Sequence, residues 1–182
     1  GVICRLIPGD RGVYGAEDIE EAIRPVNDHY PRTKLVCVEN TSNRGGGKVW
    51  PLEKLAEVKK TAHENGLKTH LDGARIWNAA AAMNIPESEI AKHFDSLSVC
   101  FSKGLGAPVG SALAGSNDFI MEARRFRKQF GGGMRQAGII AAGALYALEN
   151  NRERLTDDHD NAKMLANGLA EINGIDINPD DV

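Results

Sequence analysis

In the stretch SLSVCFSKGLGAPVGS, residues 96–111, one lysine, Lys103, stands where an apolar, β-branched run gives way to a loop of small residues. A lysine at the end of a buried strand either pairs with a carboxylate or carries its charge out to water on its long stem. A third use is chemical, because desolvation lowers the amine's pKa and makes it a nucleophile able to form a Schiff base with a carbonyl. Asp72 precedes Lys103 by 31 residues, inside LKTHLDGAR at 67–75. That interval accommodates one helix and a return to a neighbouring strand, so amine and carboxylate could face one ring between them. The pair suits a heterocycle whose carbonyl bonds the lysine and whose nitrogen the anion keeps protonated, so that the ring can drain electrons from a carbanion.

The elements that would carry this pair alternate. TKLVCVENT (33–41), LKTHLDGAR (67–75) and SLSVCFSK (96–103) read as strands, and GSALAGS (110–116) as a possible antiparallel return. Between and after them, helices are expected over 15–26, stopped by Pro25; over 50–66, with Pro51 near its start and Gly66 as cap; from 76 to 83; and over 117–130, 135–151 and 152–172. This alternation predicts an α/β fold with a mostly parallel sheet and helices on both faces. Ligands in such sheets sit at the carboxyl ends of the strands. The rule selects Glu39, Asn40 and Thr41, then Asp72 and Arg75, then Ser102 and Lys103.

Composition narrows the partners. The 182 residues hold 22 basic and 25 acidic side chains, with aromatics at 5% and no basic stripe, which argues against a nucleic-acid surface. The longest apolar stretch, GIIAAGALYAL at 138–148, falls short of the roughly 20 residues that span a bilayer, so no membrane partner is expected. Three scattered cysteines, Cys4, Cys37 and Cys100, fit a reducing cytoplasm, and two of them in apolar runs read as small buried hydrophobes. The chain opens on Gly1 and closes on INPDDV, and is expected to be a piece of a longer protein.

Several tempting motifs fail. RGGGKVW (44–50) has Ser42 where a phosphate-binding loop needs its first glycine and Val49 where it needs a hydroxyl, which leaves a plain glycine turn. GLGAPVG (104–110) carries Val109 in place of the third glycine of a dinucleotide fingerprint. His63, Glu64 and His70 are separated by Gly66 and do not form a zinc helix. TDDHDNA (156–162) reads as a solvated helix face, and no metal is expected.

HLDGARIWNA (70–79), SVCFSKGLGAPVGS (98–111) and FGGGMRQAGIIAAGALYAL (130–148), extended by 29–55 and RLTDDHDNA (154–162), resemble the low-specificity L-threonine aldolases. These are pyridoxal phosphate enzymes of fold type I, in the β-eliminating lyase and threonine aldolase group, with an aspartate aminotransferase-like large domain. The resemblance implies that residues 1–150 belong to the cofactor-binding large domain and that 151–182 lead into a small C-terminal domain. It implies retro-aldol cleavage of L-threonine or L-allo-threonine to glycine and acetaldehyde by a cytoplasmic homo-oligomer, dimer or tetramer.

By the same resemblance Lys103 bonds the cofactor, Asp72 faces the pyridine nitrogen, and Arg75 lies beside the cofactor and the substrate carboxylate. His29 approaches the substrate hydroxyl and moves its proton, while Lys128 and Arg135 reach the cofactor phosphate of a neighbouring subunit. Read without the family, Arg75 is a surface or capping arginine, His29 a loop residue, and Lys128 and Arg135 ordinary helix charges. His70, two residues before Asp72 on one strand, reads as structural support. One departure is visible: members often carry histidine after ENT, where this chain has Ser42. Members also draw on an upstream phosphate-cradling loop, a ring-stacking histidine and a downstream carboxylate-binding arginine. The competing readings are a pyridoxal phosphate lyase that eliminates at the β-carbon of another amino acid, and a non-catalytic fragment or interaction module.

Overall fold

Leu35–Glu39 (β1), Lys68–Gly73 (β2) and Ser96–Cys100 (β3) pair in parallel, and Ser111–Gly115 (β4) adds antiparallel to β3, in the order β1-β2-β3-β4. The computed structural model describes residues 2–182. Strand geometry turns successive side chains to opposite faces. One face of β1 and β2 therefore buries Val36, Val38, Thr69 and Leu71, while Cys37 and Asp72 face the other way and stay exposed. The register aligns Cys37 with His70 and Ser96, and Glu39 with Asp72 and Ser98, so these residues share the second face.

Four helices cover the first face: Ala16–Ala22 (α1), Leu52–Glu64 (α2), Ile76–Met83 (α3) and Glu87–Ala91 (α4). They contribute Ile19, Leu55, Val58, Ile76, Ala79 and Ile90 to one core with Val36, Val38, Leu71 and Val99. Each fully buried Leu, Ile or Val contributes about 1.5–3 kcal/mol, and this core accordingly holds the strand ends that carry Asp72. Trp50 and Tyr14 close its edge in a T-shaped contact with ring centroids 4.9 Å apart, and the Tyr14 hydroxyl donates to the Cys37 carbonyl at 2.6 Å.

Asn117–Gln129 (α5) leans over the second face beside β4. A Cβ at Gly115 would lie 2.7 Å from Phe119 Cδ1, and Gly115 pairs with Ser96 on the Asp72 side of the sheet. Gly138–Asn150 (α6) and Leu155–Ala170 (α7) follow, α7 packing on α3, and a short 3₁₀ turn at Pro179–Asp181 lies near the end of the chain.

The expected elements are present, with instructive differences. The first helix starts after Gly15 and stops at Ala22, with Ile23 already extended at ψ 127°, ahead of the steric restriction that Pro25 places on Arg24. Pro51 caps α2 from outside the first turn, and Asn65, not Gly66, is its C-cap. The helix α4 was not expected from the sequence; at five residues it is too short to show a helical period. Cys37 departs from the expected buried hydrophobe, because the alternation within β1 turns it to the open face.

Candidate functional site

The three parallel strands end side by side, and the backbone knits their ends together: the Asn40 N–H donates to the Asp72 carbonyl at 3.0 Å. Asp72 closes the polar row on β2. Its Oδ1 accepts the Ala74 N–H at 3.1 Å, which fixes the carboxylate over the turn into α3. No cation pairs with it among the described residues. Gly73 allows β2 to run this close to β3, since a Cβ there would sit 2.9 Å from the Ser98 carbonyl oxygen and 3.3 Å from Ile76 Cβ.

Arg75 stands at the N-cap of α3 without making a side-chain cap bond. Instead its Nη2 donates to Asn43 Oδ1 at 3.0 Å, and the Asn43 N–H donates to Glu39 Oε2 at 3.1 Å. The guanidinium is thus held between the end of β2 and the loop that leaves β1. That loop is the glycine turn expected at 44–50; it closes through the Ser42 N–H to the Lys48 carbonyl at 2.8 Å and the Gly47 N–H to the Ser42 carbonyl at 2.9 Å.

Lys103 lies three residues beyond β3, at the same edge of the sheet as Asp72. Its turn is fixed by the Gly106 N–H on the Lys103 carbonyl at 2.9 Å and the Ala107 N–H on the Phe101 carbonyl at 3.0 Å. The expectation of a desolvated lysine is corrected here: the Lys103 side chain is exposed. The turn buries Leu105 and Ala107 instead, and so directs the lysine outward.

His70 sits between these groups and the lower sheet. Its Nδ1 lies 2.8 Å from Ser96 Oγ. Partial burial pushes its pKa below the ordinary histidine value, and the Asp72 charge works in the opposite direction. The contact with Ser96 joins β2 to β3 beneath Asp72.

The other expected residues are not drawn into this group. His29 is exposed in the connection from α1 to β1, where its backbone N–H donates to Asn27 Oδ1 at 2.8 Å. Lys128 lies in the last turn of α5 and Arg135 in the segment before α6, both exposed. Among the described residues no hydrogen bond or ion pair links these three to Asp72, Arg75 or Lys103.

Residues not singled out in the sequence hold the site in shape. Asn43 positions Arg75. Asn78 on α3 meets His159 on α7, their Nδ2 and Nε2 3.1 Å apart, and Asn151 Nδ2 donates to the Leu105 carbonyl at 2.7 Å. His159 belongs to the segment read as a solvated face; its acidic neighbours are exposed, but the histidine turns inward and is half-buried. The only signal available was the helical spacing of four between Leu155 and His159, which puts both on one side of α7.

An amine, a carboxylate and a guanidinium at one strand-end edge, none paired with another, suit an anionic aldehyde whose ring nitrogen needs a counter-charge. Pyridoxal phosphate, the cofactor implied by the resemblance, has that chemistry, and the residues fit it. Fold and edge together define an α/β protein with a candidate ligand site at the carboxyl ends of parallel strands.

The comparisons with known proteins give this class a family. The chain belongs to the beta-eliminating lyase family, whose match covers residues 1–182. It is 46% identical over 169 residues to the low-specificity L-threonine aldolase 1 of Arabidopsis thaliana, covering 92% of this chain and 47% of that protein. It is 48% identical over 160 residues to the low specificity L-threonine aldolase of Escherichia coli K12, covering 88% and 47%. A solved threonine aldolase of Leishmania major superposes with a TM-score of 0.76 at 25% identity, covering 90% of this chain and 48% of that one. The expected fold is borne out by this likeness. The chain spans about half the length of the curated relatives it matches.

Proposed function

We propose that the protein to which this chain belongs is a pyridoxal phosphate-dependent aldolase that cleaves L-threonine or L-allo-threonine to glycine and acetaldehyde. The observation that carries the reading is the placement of Asp72 and Lys103 at neighbouring strand ends, each without an ionic partner among the described residues. The relatives called low-specificity L-threonine aldolase, at 46–48% identity, supply the substrate class.

When bound, pyridoxal phosphate supplies an electron sink for the Cα–Cβ bond of the substrate. Lys103 Nζ is the amine that would hold the cofactor through its carbonyl carbon. Asp72, its carboxylate oriented by the Ala74 N–H, keeps the ring nitrogen protonated. Arg75, steadied by Asn43, presents a planar fork of donors to the substrate carboxylate. The resemblance gives His29 the task of taking the proton from the substrate hydroxyl, and the reading needs the exposed segment that carries it, which stands outside the group of Asp72, Arg75 and Lys103 here, to approach the bound substrate.

The exposed apolar side chains of α5, α6 and their connection favour an oligomer in which Lys128 and Arg135 reach a neighbouring subunit's cofactor phosphate. Phe130 is 80% exposed and Ile139 90%, and α5 buries no residue. Among the described residues no helix is long and apolar enough to cross a membrane, and a cytoplasmic location is part of the proposal.

Borohydride reduction of the cofactor-loaded protein, followed by peptide mapping, tests the assignment. A phosphopyridoxyl group on Lys103 is expected, and labelling elsewhere or none at all overturns it. The family's description favours a second reading, β-elimination; glycine and an aldehyde as products, rather than a keto acid and ammonia, decide for the aldolase.

A further inference from the structure

Lys103 is exposed and makes no side-chain hydrogen bond among the described residues, so whatever aims it must act on its backbone turn. Three elements grip that turn. Leu105 and Ala107 are buried with Ala147 and Leu155 in a small core of their own, flanked by Trp77 and Phe101, whose rings meet edge to face at 6.2 Å. Asn151, capping α6, donates its side-chain N–H to the Leu105 carbonyl at 2.7 Å. Gly104, next to the lysine, lies against Asn78: a Cβ there would come within 2.7 Å of Asn78 Oδ1 and 3.0 Å of Leu155 Cδ2.

The Asn78 amide has a defined orientation because its other end is occupied. Its Nδ2 donates to His159 Nε2 at 3.1 Å, which fixes the plane of the amide that lies against Gly104, where an added Cβ would meet Oδ1 at 2.7 Å and Nδ2 at 3.3 Å. Without His159 the half-buried amide loses that partner and gains a reason to rotate, and rotation changes the surface on which Gly104 rests. The contact runs from α7 through α3 to the residue that follows Lys103.

We propose that His159, acting through Asn78, is a positioning residue for Lys103. This rests on the reading of Lys103 as the cofactor-bonding amine. It assigns a task to a histidine beyond the reacting groups, on a helix, α7, that carries none of the other candidate site residues.

The test compares the parent protein with His159→Leu, which removes the acceptor at similar bulk, and His159→Gln, whose side-chain oxygen restores one. Backbone hydrogen exchange at Gly106 and Ala107, whose N–H groups close the Lys103 turn, is read beside the yield of borohydride-trapped cofactor on Lys103. The loss of one such hydrogen bond predicts exchange about fivefold faster at these two amides in His159→Leu, and parent-like rates in His159→Gln. The trapped yield should fall with the former and return with the latter, while exchange in β2 stays unchanged. Parent-like exchange at Gly106 and Ala107 in His159→Leu overturns the inference. So does a general loosening of the whole fold that Gln fails to rescue. Faster local exchange with no label on Lys103 even in the parent leaves the link from α7 standing and overturns the cofactor reading instead.

Discussion

His63 Nε2 lies 2.9 Å from Asp95 Oδ2, joining the last turn of α2 to the residue just before β3. The same carboxylate oxygen accepts the Thr69 N–H at 2.8 Å and the Thr69 hydroxyl at 3.1 Å, and the other oxygen accepts Lys68 Nζ at 3.1 Å. Asp95 therefore staples α2, β2 and β3 at the edge of the sheet opposite Asp72 and Lys103. The fold keeps its polar fastening and its candidate chemistry at opposite ends of the same strands.

This fastening predicts an acid limit to stability. Partial burial would raise the Asp95 pKa, but the bonds from His63, the Thr69 N–H, Lys68 and the Thr69 hydroxyl outweigh it and hold the group well below the usual carboxylate range. A depressed folded pKa stabilises the protein above the unfolded value of about 3.9 and is lost as the pH falls below it. Asp95→Asn should cost about 1–3 kcal/mol near neutral pH, the scale of hydrogen bonds to a charged group. Urea unfolding measured at neutral pH and again below about pH 3.5 checks it. The gap between parent and variant must shrink on acidification, and a constant gap refutes the linkage.

Asp72→Asn separates charge from shape. The amide oxygen still accepts the Ala74 N–H, so the thermal midpoint should stay within about 2 °C of the parent for a surface change of this kind. Turnover should fall by about a hundredfold or more, because the counter-charge to the ring nitrogen is gone. Steady-state cleavage of threonine beside a melting curve decides; unchanged turnover removes Asp72 from the chemistry.

The scaffold of this site was legible in the sequence, and its supports were not. Asp72 and Lys103 announce themselves because each interrupts a β-branched run at its end, a local signal that strand periodicity makes visible. Asn78 meets His159 across 81 residues and Asn151 meets Leu105 across 46, and no period in the chain reports contacts between elements so far apart. Lys103 taught the same lesson in reverse: its local run promised burial, but tertiary packing chose Leu105 and Ala107 for the interior.

Gly73→Ala tests how tightly the end of β2 is set. The added methyl would meet the Ser98 carbonyl at 2.9 Å and Ile76 Cβ at 3.3 Å, and the nearer of these is backbone in a paired strand. The strands must part slightly, at a cost of about 1–3 kcal/mol typical of overpacking. Because Asp72 is the adjacent residue, cofactor affinity should weaken as well. Chemical denaturation and a cofactor titration on the same sample check both, and an unperturbed midpoint would mean that β2 and β3 have slack the geometry does not show.

Cys37 offers a chemical probe of the open face. The residue is exposed, yet burial of part of its side chain, with smaller contributions from Cys4 and Asp72, raises its thiol pKa. Reaction with an alkylating reagent proceeds through the thiolate, so exposure alone does not make this cysteine fast. Near neutral pH its alkylation should lag behind that of a free model thiol by more than its accessibility explains. The lag should close as the pH is raised beyond about 9, past the ordinary thiol range of about 8.5. Replacing Asp72 with Asn removes one of the charges that oppose the thiolate, so the same variant should quicken labelling at Cys37 modestly while leaving Cys100 unchanged. Mass-spectrometric rates at each cysteine across pH give the answer. Equal acceleration at all three would place the effect in the reagent, and acceleration confined to Cys37 would locate the Asp72 charge on the open face of the sheet.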